Sequence, residues 1–135
     1  MVDDNKNGLS ARRSVLAEMG YEVVTATSPT SALEKFPELN FELVITDHRL
    51  PKVDGVAFIQ SIRDAKAVMP VILLSGHVEA LGLTEANTGA DVVIQKSTNE
   101  VPHLTRSVTR LLRRTMKKPP VAQVKARAKA AGASS

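Results

Sequence analysis

Cysteine and tryptophan are absent from this 135-residue chain, and one Tyr and three Phe are its only aromatics. Without cysteine, disulfides and thiolate metal sites are excluded. With aromatics at 3%, the core must be built from Val, Leu, Ile and Ala, and stacking platforms for nucleic-acid bases are lacking. Long apolar runs are also missing: none exceeds about four residues, against the roughly 20 that a membrane helix needs. The opening Met1-Val2-Asp3-Asp4-Asn5-Lys6 is polar and acidic, the opposite of a secretory signal. These absences lead us to expect a soluble, cytoplasmic, single-domain protein without membrane contact.

Acidic residues are absent beyond Glu100. Residues 1–100 hold 9 Lys/Arg and all 14 Asp/Glu, a balance of −5, whereas residues 101–135 hold 9 Lys/Arg, a balance of +9, which together give the net +4. A basic terminus can touch nucleic acid or an acidic partner. No helix-turn-helix pattern fits it, however, and nucleic acid is not an expected partner. We expect a folded unit over residues 1–116. A flexible basic tail over 117–135 would follow, starting at Lys117-Lys118-Pro119-Pro120.

Between these limits, strand and helix patterns alternate. Leu9, Leu16 and Met19 form an apolar stripe of a first helix, with Arg12, Arg13 and Glu18 off it and Gly20 as the stop. Tyr21 to Thr27 reads as a strand. Ser28-Pro29 starts a short helix that Pro37 ends. Phe41 to Asp47 is a strand, residues 50–55 are turn chemistry, and Ala57, Phe58, Ile59 and Ile62 support a helix. Strands Val71 to Ser75 and Val92 to Lys96 flank a small-residue helix or loop. Val101, Leu104, Val108 and Leu111 step through a last helix, capped by Ser97 with Glu100 or by Asn99. Runs such as 43–45 and 71–74 are continuously apolar, which means burial on both faces and a parallel sheet covered by helices on each side.

Three apolar runs end on functional side chains: Asp47, Ser75 and Lys96. In a parallel α/β sheet the crevice beyond the carboxyl ends of the strands is where ligands bind. Asp3-Asp4 would join them if a strand preceded the pair. Carboxylates so clustered repel by about 4 kcal/mol per pair at ~4 Å, and a hard divalent cation removes that repulsion. Mg²⁺ is the expected ion. Lys96 adds positive charge, and Ser75 offers a hydroxyl donor to a phosphoryl oxygen.

The motifs Val2-Asp3-Asp4-Asn5, Asp47-His48-Arg49-Leu50-Pro51 leading to Asp54-Gly55, Ser75-Gly76 and Lys96 carry a resemblance to the receiver domains of bacterial two-component response regulators, over about residues 2–115. The resemblance implies a flavodoxin-like (βα)5 fold, a doubly wound parallel sheet of strand order 2-1-3-4-5. It implies that Asp47 is the phosphoacceptor, taking a phosphoryl group from a histidine kinase or phosphotransfer protein. Asp3, Asp4, Asp47 and the backbone carbonyl of Arg49 would hold Mg²⁺, and Ser75 and Lys96 would bind phosphoryl oxygens. A downstream protein would dock on the face of the fourth helix, fifth strand and fifth helix. The protein would be a signalling phosphoacceptor with only self-catalysed phosphotransfer and dephosphorylation, not an enzyme acting on other substrates.

The chain departs from that pattern in three places. About five apolar residues usually precede the acidic pair; here only Met1-Val2 do, so the first strand is expected to be truncated or missing. A start lying further upstream, a shortened chain, or a gap filled by another segment or by a second copy in a swapped homodimer would each account for it. A shortened N-terminus is the preferred expectation. Ser97 follows Lys96 where the family has a cis proline, so a trans bond and a displaced Lys96 are expected. Val93 stands at the aromatic switch position, leaving Ser75 and backbone shifts to couple the site. Arg49 and His77 occupy positions that tune dephosphorylation in the family. His48 and His103 read as plain surface residues, and Leu9 and Met19 as core. The alternative is a degenerate receiver that binds partners without phosphorylation.

Overall fold

Continuously apolar strands, buried on both faces, place a helical layer on each side of one sheet. A computed structural model describes residues 1–37, 40–50 and 52–115. Its elements are α1 (Lys6–Glu18), α2 (Pro29–Lys35), β1 (Val44–Asp47), α3 (Gly55–Ala65), β2 (Val71–Ser75), α4 (Val78–Leu81), α5 (Glu85–Thr88), β3 (Val92–Gln95) and α6 (Glu100–Thr115). The expected tail at 117–135, and Pro51 in the turn after β1, lie outside the described residues.

The three strands form a parallel sheet in the order β1-β2-β3, with Val44 opposite Val71 and Ile72 opposite Val92. Along β1 and β2 successive side chains enter opposite cores. Ile45, Ile72 and Leu74 pack with Leu9, Leu16, Leu104, Val108 and Leu112 from α1 and α6. Val44, Val71 and Leu73 pack with Phe58, Ile59 and Ile62 from α3. This is the two-sided burial that the continuous apolar runs predict.

The first strand survives as a single residue. Val2 bridges Ala26 on one side and Thr46 on the other, both parallel. Its N–H donates to the Ile45 carbonyl at 2.8 Å, and its own carbonyl accepts from the Asp47 N–H at 2.9 Å. The order Ala26, Val2, β1, β2, β3 is the 2-1-3-4-5 order expected. The segment expected as a strand over Tyr21–Thr27 has its only bridge at Ala26, because a ladder needs a partner and the partner is one residue long. An apolar cavity of about 30 Å³, lined by Met1, Val24, Phe36, Phe41 and Phe58 among others, adjoins Met1.

Local signals place the helices. Ser28 caps α2 by accepting the Ser31 N–H at 3.1 Å, with Pro29 in the first turn. Asp54 caps α3, accepting the Ala57 N–H at 2.9 Å. The connection between β2 and β3 divides into the short helices α4 and α5. α6 begins at Glu100, but the expected Ser97–Glu100 cap does not form: the Ser97 hydroxyl accepts the Asn99 N–H, and the Glu100 carboxylate pairs with Arg12. Three side chains differ from the periodicity reading. Met19 is 41% exposed and Val101 38% exposed, whereas Arg12 is buried. No helix among the described residues is long and apolar enough to cross a membrane.

Candidate functional site

Each site residue is delivered by the end of a buried element. The bonds of Val2 and the Asp3 N–H donating to Ala26 at 3.1 Å lock the backbone that presents the acidic pair. Asn5 then caps α1 through its side chain, and the Asp3 Oδ1 accepts the Asn5 N–H at 2.9 Å. Asp47 closes β1. Its neighbour α3 approaches so tightly that a Cβ on Gly55 would stand 2.5 Å from the Asp47 carbonyl oxygen, and the Gly55 N–H donates to the His48 carbonyl at 2.6 Å.

Asp3, Asp4 and Asp47 offer carboxylate oxygens that all lie within 4.8 Å of one another, with Asp3 and Asp47 buried and Asp4 exposed. Lys96 donates to Asp47 Oδ1 at 2.9 Å and reaches Asp3 Oδ2 at 3.5 Å. The His48 N–H also donates to Asp47 Oδ1, at 2.9 Å. Among the described residues no hydrogen bond reaches the Asp47 Oδ2, which leaves that oxygen open. Burial pushes the Asp47 carboxyl above the ordinary carboxylate value; the Lys96 hydrogen bond opposes this and the charge of Asp3 adds to it. The donor set is all hard oxygen, so it fits a divalent ion of the Mg²⁺ class.

Ser75 ends β2 and is buried, and its carbonyl accepts the Lys96 N–H at 2.8 Å, which sets where Lys96 leaves β3. The Ser75 hydroxyl accepts the His77 N–H at 3.0 Å and makes no hydrogen bond to Asp47 or Lys96 among the described residues. The Lys96–Ser97 peptide is trans, and Lys96 still reaches Asp47 directly. Arg49 and His77 are exposed on the rim, and Val93 is half-buried. His48 departs from the surface reading. It is half-buried, and its Nδ1 is buried without a hydrogen bond among the described residues.

The sequence reading missed two groups. Arg12 donates through Nη1 to Asp3 Oδ2 at 3.0 Å and through Nε to Glu100 at 2.7 Å. Its position carried the signal, since 9, 12 and 16 are spaced by three and four and share one helix face. Gln95 donates to the Gly76 carbonyl at 2.7 Å and accepts the Val78 N–H at 2.9 Å, which ties the loop after Ser75 to β3.

The response regulator receiver domain model matches residues 1–109. The chain belongs to the response regulator receiver domain family. It is 32% identical over 91 residues to the transcriptional regulatory protein ZraR of Escherichia coli K12, covering 67% of this chain and 21% of that protein. It is 31% identical over 100 residues to the alkaline phosphatase synthesis transcriptional regulatory protein PhoP of Bacillus subtilis, covering 71% of this chain and 40% of that one. The receiver thus spans a fifth to two fifths of these relatives. Among solved structures it is similar to the Thermotoga maritima response regulator TrrA in complex with Mg²⁺-BeF, with a TM-score of 0.72 and 34% identity. That match covers 82% of this chain and 94% of TrrA. A receiver domain from Clostridium thermocellum gives a TM-score of 0.76 at 29% identity, over 84% of this chain and 92% of that one.

Proposed function

We propose that this receiver takes a phosphoryl group onto Asp47 from a phosphohistidine donor, a histidine kinase or a phosphotransfer protein. The observation that carries the reading is the asymmetry of the Asp47 carboxylate. Oδ1 is held by Lys96 and the His48 N–H, and Oδ2 is open within a cluster of three carboxylates. The open oxygen attacks phosphorus, the phosphorus–nitrogen bond of the donor breaks, and its electron pair leaves with the imidazole, which then takes a proton.

Asp3, Asp4, Asp47 and the carbonyl of Arg49 would hold Mg²⁺, as the Mg²⁺-BeF complex of TrrA supports by similarity. When bound, the ion neutralises charge on the carboxylates and the phosphoryl oxygens. Lys96 swings its ammonium between Asp47 and an incoming phosphoryl oxygen, and the Ser75 hydroxyl exchanges its contact with the His77 N–H for another. Arg49 and His77, exposed above the site, set how readily water reaches the acyl phosphate. With Val93 in place of a ring, coupling to a downstream protein runs through Ser75, Lys96 and the backbone of β3 to the face of α4, α5, β3 and α6.

Intact mass after incubation with acetyl phosphate and Mg²⁺ tests the reading on wild type and Asp47→Ala. One phosphoryl adduct on the folded wild type and none on the variant is the expected outcome. An unmodified wild type that is folded by circular dichroism would favour a phosphorylation-independent binding module.

A further inference from the structure

Glycine inside a helix is disfavoured, yet α1 carries Gly8. A Cβ there would stand 3.0 Å from Arg12 Nη1 and 3.7 Å from Asp3 Oδ2, so the bare glycine lets the guanidinium lie close against the helix backbone without being pressed aside. Arg12 is 8% exposed and would be costly to bury unpaired. Two carboxylates compensate it: Asp3 at 3.0 Å and Glu100 at 2.7 Å. The Asp3 carboxylate is in turn nearly filled. Its Oδ1 accepts the Asn5 N–H, and its Oδ2 accepts from both Arg12 and Lys96. With two acceptor directions per oxygen, a single one remains, on Oδ1. A divalent ion at Asp3 therefore meets a carboxylate already oriented and partly neutralised by a resident cation. The other side of that cation is the first residue of α6.

We propose that Arg12 is a positioning residue that holds Asp3, competes with the divalent ion for it, and through Glu100 ties metal occupancy to the start of α6. The inference rests on the carboxylate cluster being a divalent-cation site. Removing Arg12 takes away a positive charge in contact with a ligand. Removing the charge of Glu100 leaves Arg12 uncompensated and drives it harder onto Asp3. The two changes act on metal affinity in opposite directions, and the second acts only through the first. By linkage, an ion that loosens the hold of Arg12 on Asp3 is felt at Glu100.

Mn²⁺ binding to the full chain, read as loss of the free-ion paramagnetic resonance signal, tests this on wild type, Arg12→Met, Glu100→Gln and the double variant. Methionine preserves the apolar stem in its buried slot. Arg12→Met should bind Mn²⁺ roughly fivefold or more tightly than wild type. Glu100→Gln should bind more weakly, and the double variant should match Arg12→Met. Saturating Mg²⁺ should also shift the Glu100 and Val101 amide resonances in wild type but not in Arg12→Met. Equal affinities in all four chains overturn the role of Arg12 and leave the metal site standing. An effect of Glu100→Gln that persists without Arg12 overturns it as well. Absence of Mn²⁺ binding in every folded chain refutes the metal site and this proposal together. Should Arg12→Met fail to fold, Glu100→Gln against wild type decides: weaker binding supports the proposal, and unchanged or tighter binding overturns it.

Discussion

At Asp47 two demands oppose each other. As the proposed nucleophile its carboxylate would have to be ionised, yet burial and the neighbouring Asp3 raise its pKa, with Lys96 acting the other way. A carboxyl raised above its unfolded value favours the fold at low pH, and that contribution is lost as pH rises through the raised value. The metal-free Asp47→Asn variant is therefore expected to unfold at higher denaturant concentration than wild type at pH 7. The difference should shrink towards pH 4, as followed by circular dichroism. A variant less stable than wild type at pH 7 would mean that the Lys96 pair outweighs burial. Gly55 shows steric demand rather than charge. A Cβ there would meet backbone atoms of Asp47 and His48 at 2.5 and 2.8 Å, which cannot rotate away. Gly55→Ala is expected to cost about 1–3 kcal/mol in denaturant unfolding, as overpacking does. An unchanged midpoint would show that α3 shifts freely.

Among the elements, the shortened central strand carries the most tension. Val2 alone joins Ala26 to Thr46, and the ammonium of the buried Met1 next to it donates to the Val24 carbonyl at 3.0 Å. Burial, with the charge of Lys35 behind it, lowers the pKa of that ammonium from 8.0 to about 5. The unfolded chain then binds one more proton than the fold between these values, so stability rises with pH across that window. For the chain beginning at Met1, stability should fall by up to about 4 kcal/mol as pH drops from 8 to 5. N-terminal acetylation should flatten that part of the curve. A profile unaffected by acetylation would contradict the burial. That the first strand would be very short was legible from the two residues ahead of Asp3. Its consequence for Tyr21–Thr27 was not, because extended backbone without a partner has the composition of a strand. In α1 periodicity places Arg12 off the apolar face, since it scores the residue by polarity and cannot see its partners Asp3 and Glu100.

For the whole molecule, burial on both faces of the sheet was readable from continuous apolar runs, and so was the edge at which Asp47, Ser75 and Lys96 leave their strands. Each of those three residues sits at the end of its own run, so one local pattern fixes both fold and site. The network joining Asp3, Arg12 and Glu100 links α1 to α6 across the fold, and no local pattern encodes such a link. The proposed function reduces to one consequence: the open Oδ2 of Asp47 would be the single attacking oxygen, and Asp3 and Asp4 beside it would hold a metal ion rather than attack. Borohydride reduces an acyl phosphate to an alcohol, so the attacking carboxylate can be read residue by residue. After acetyl phosphate, Mg²⁺ and borohydride, peptide mass spectrometry is predicted to find homoserine at position 47 and unchanged aspartate at Asp3, Asp4 and Asp54. Reduction at any of those three, or at none of the four in a folded chain, would contradict the account.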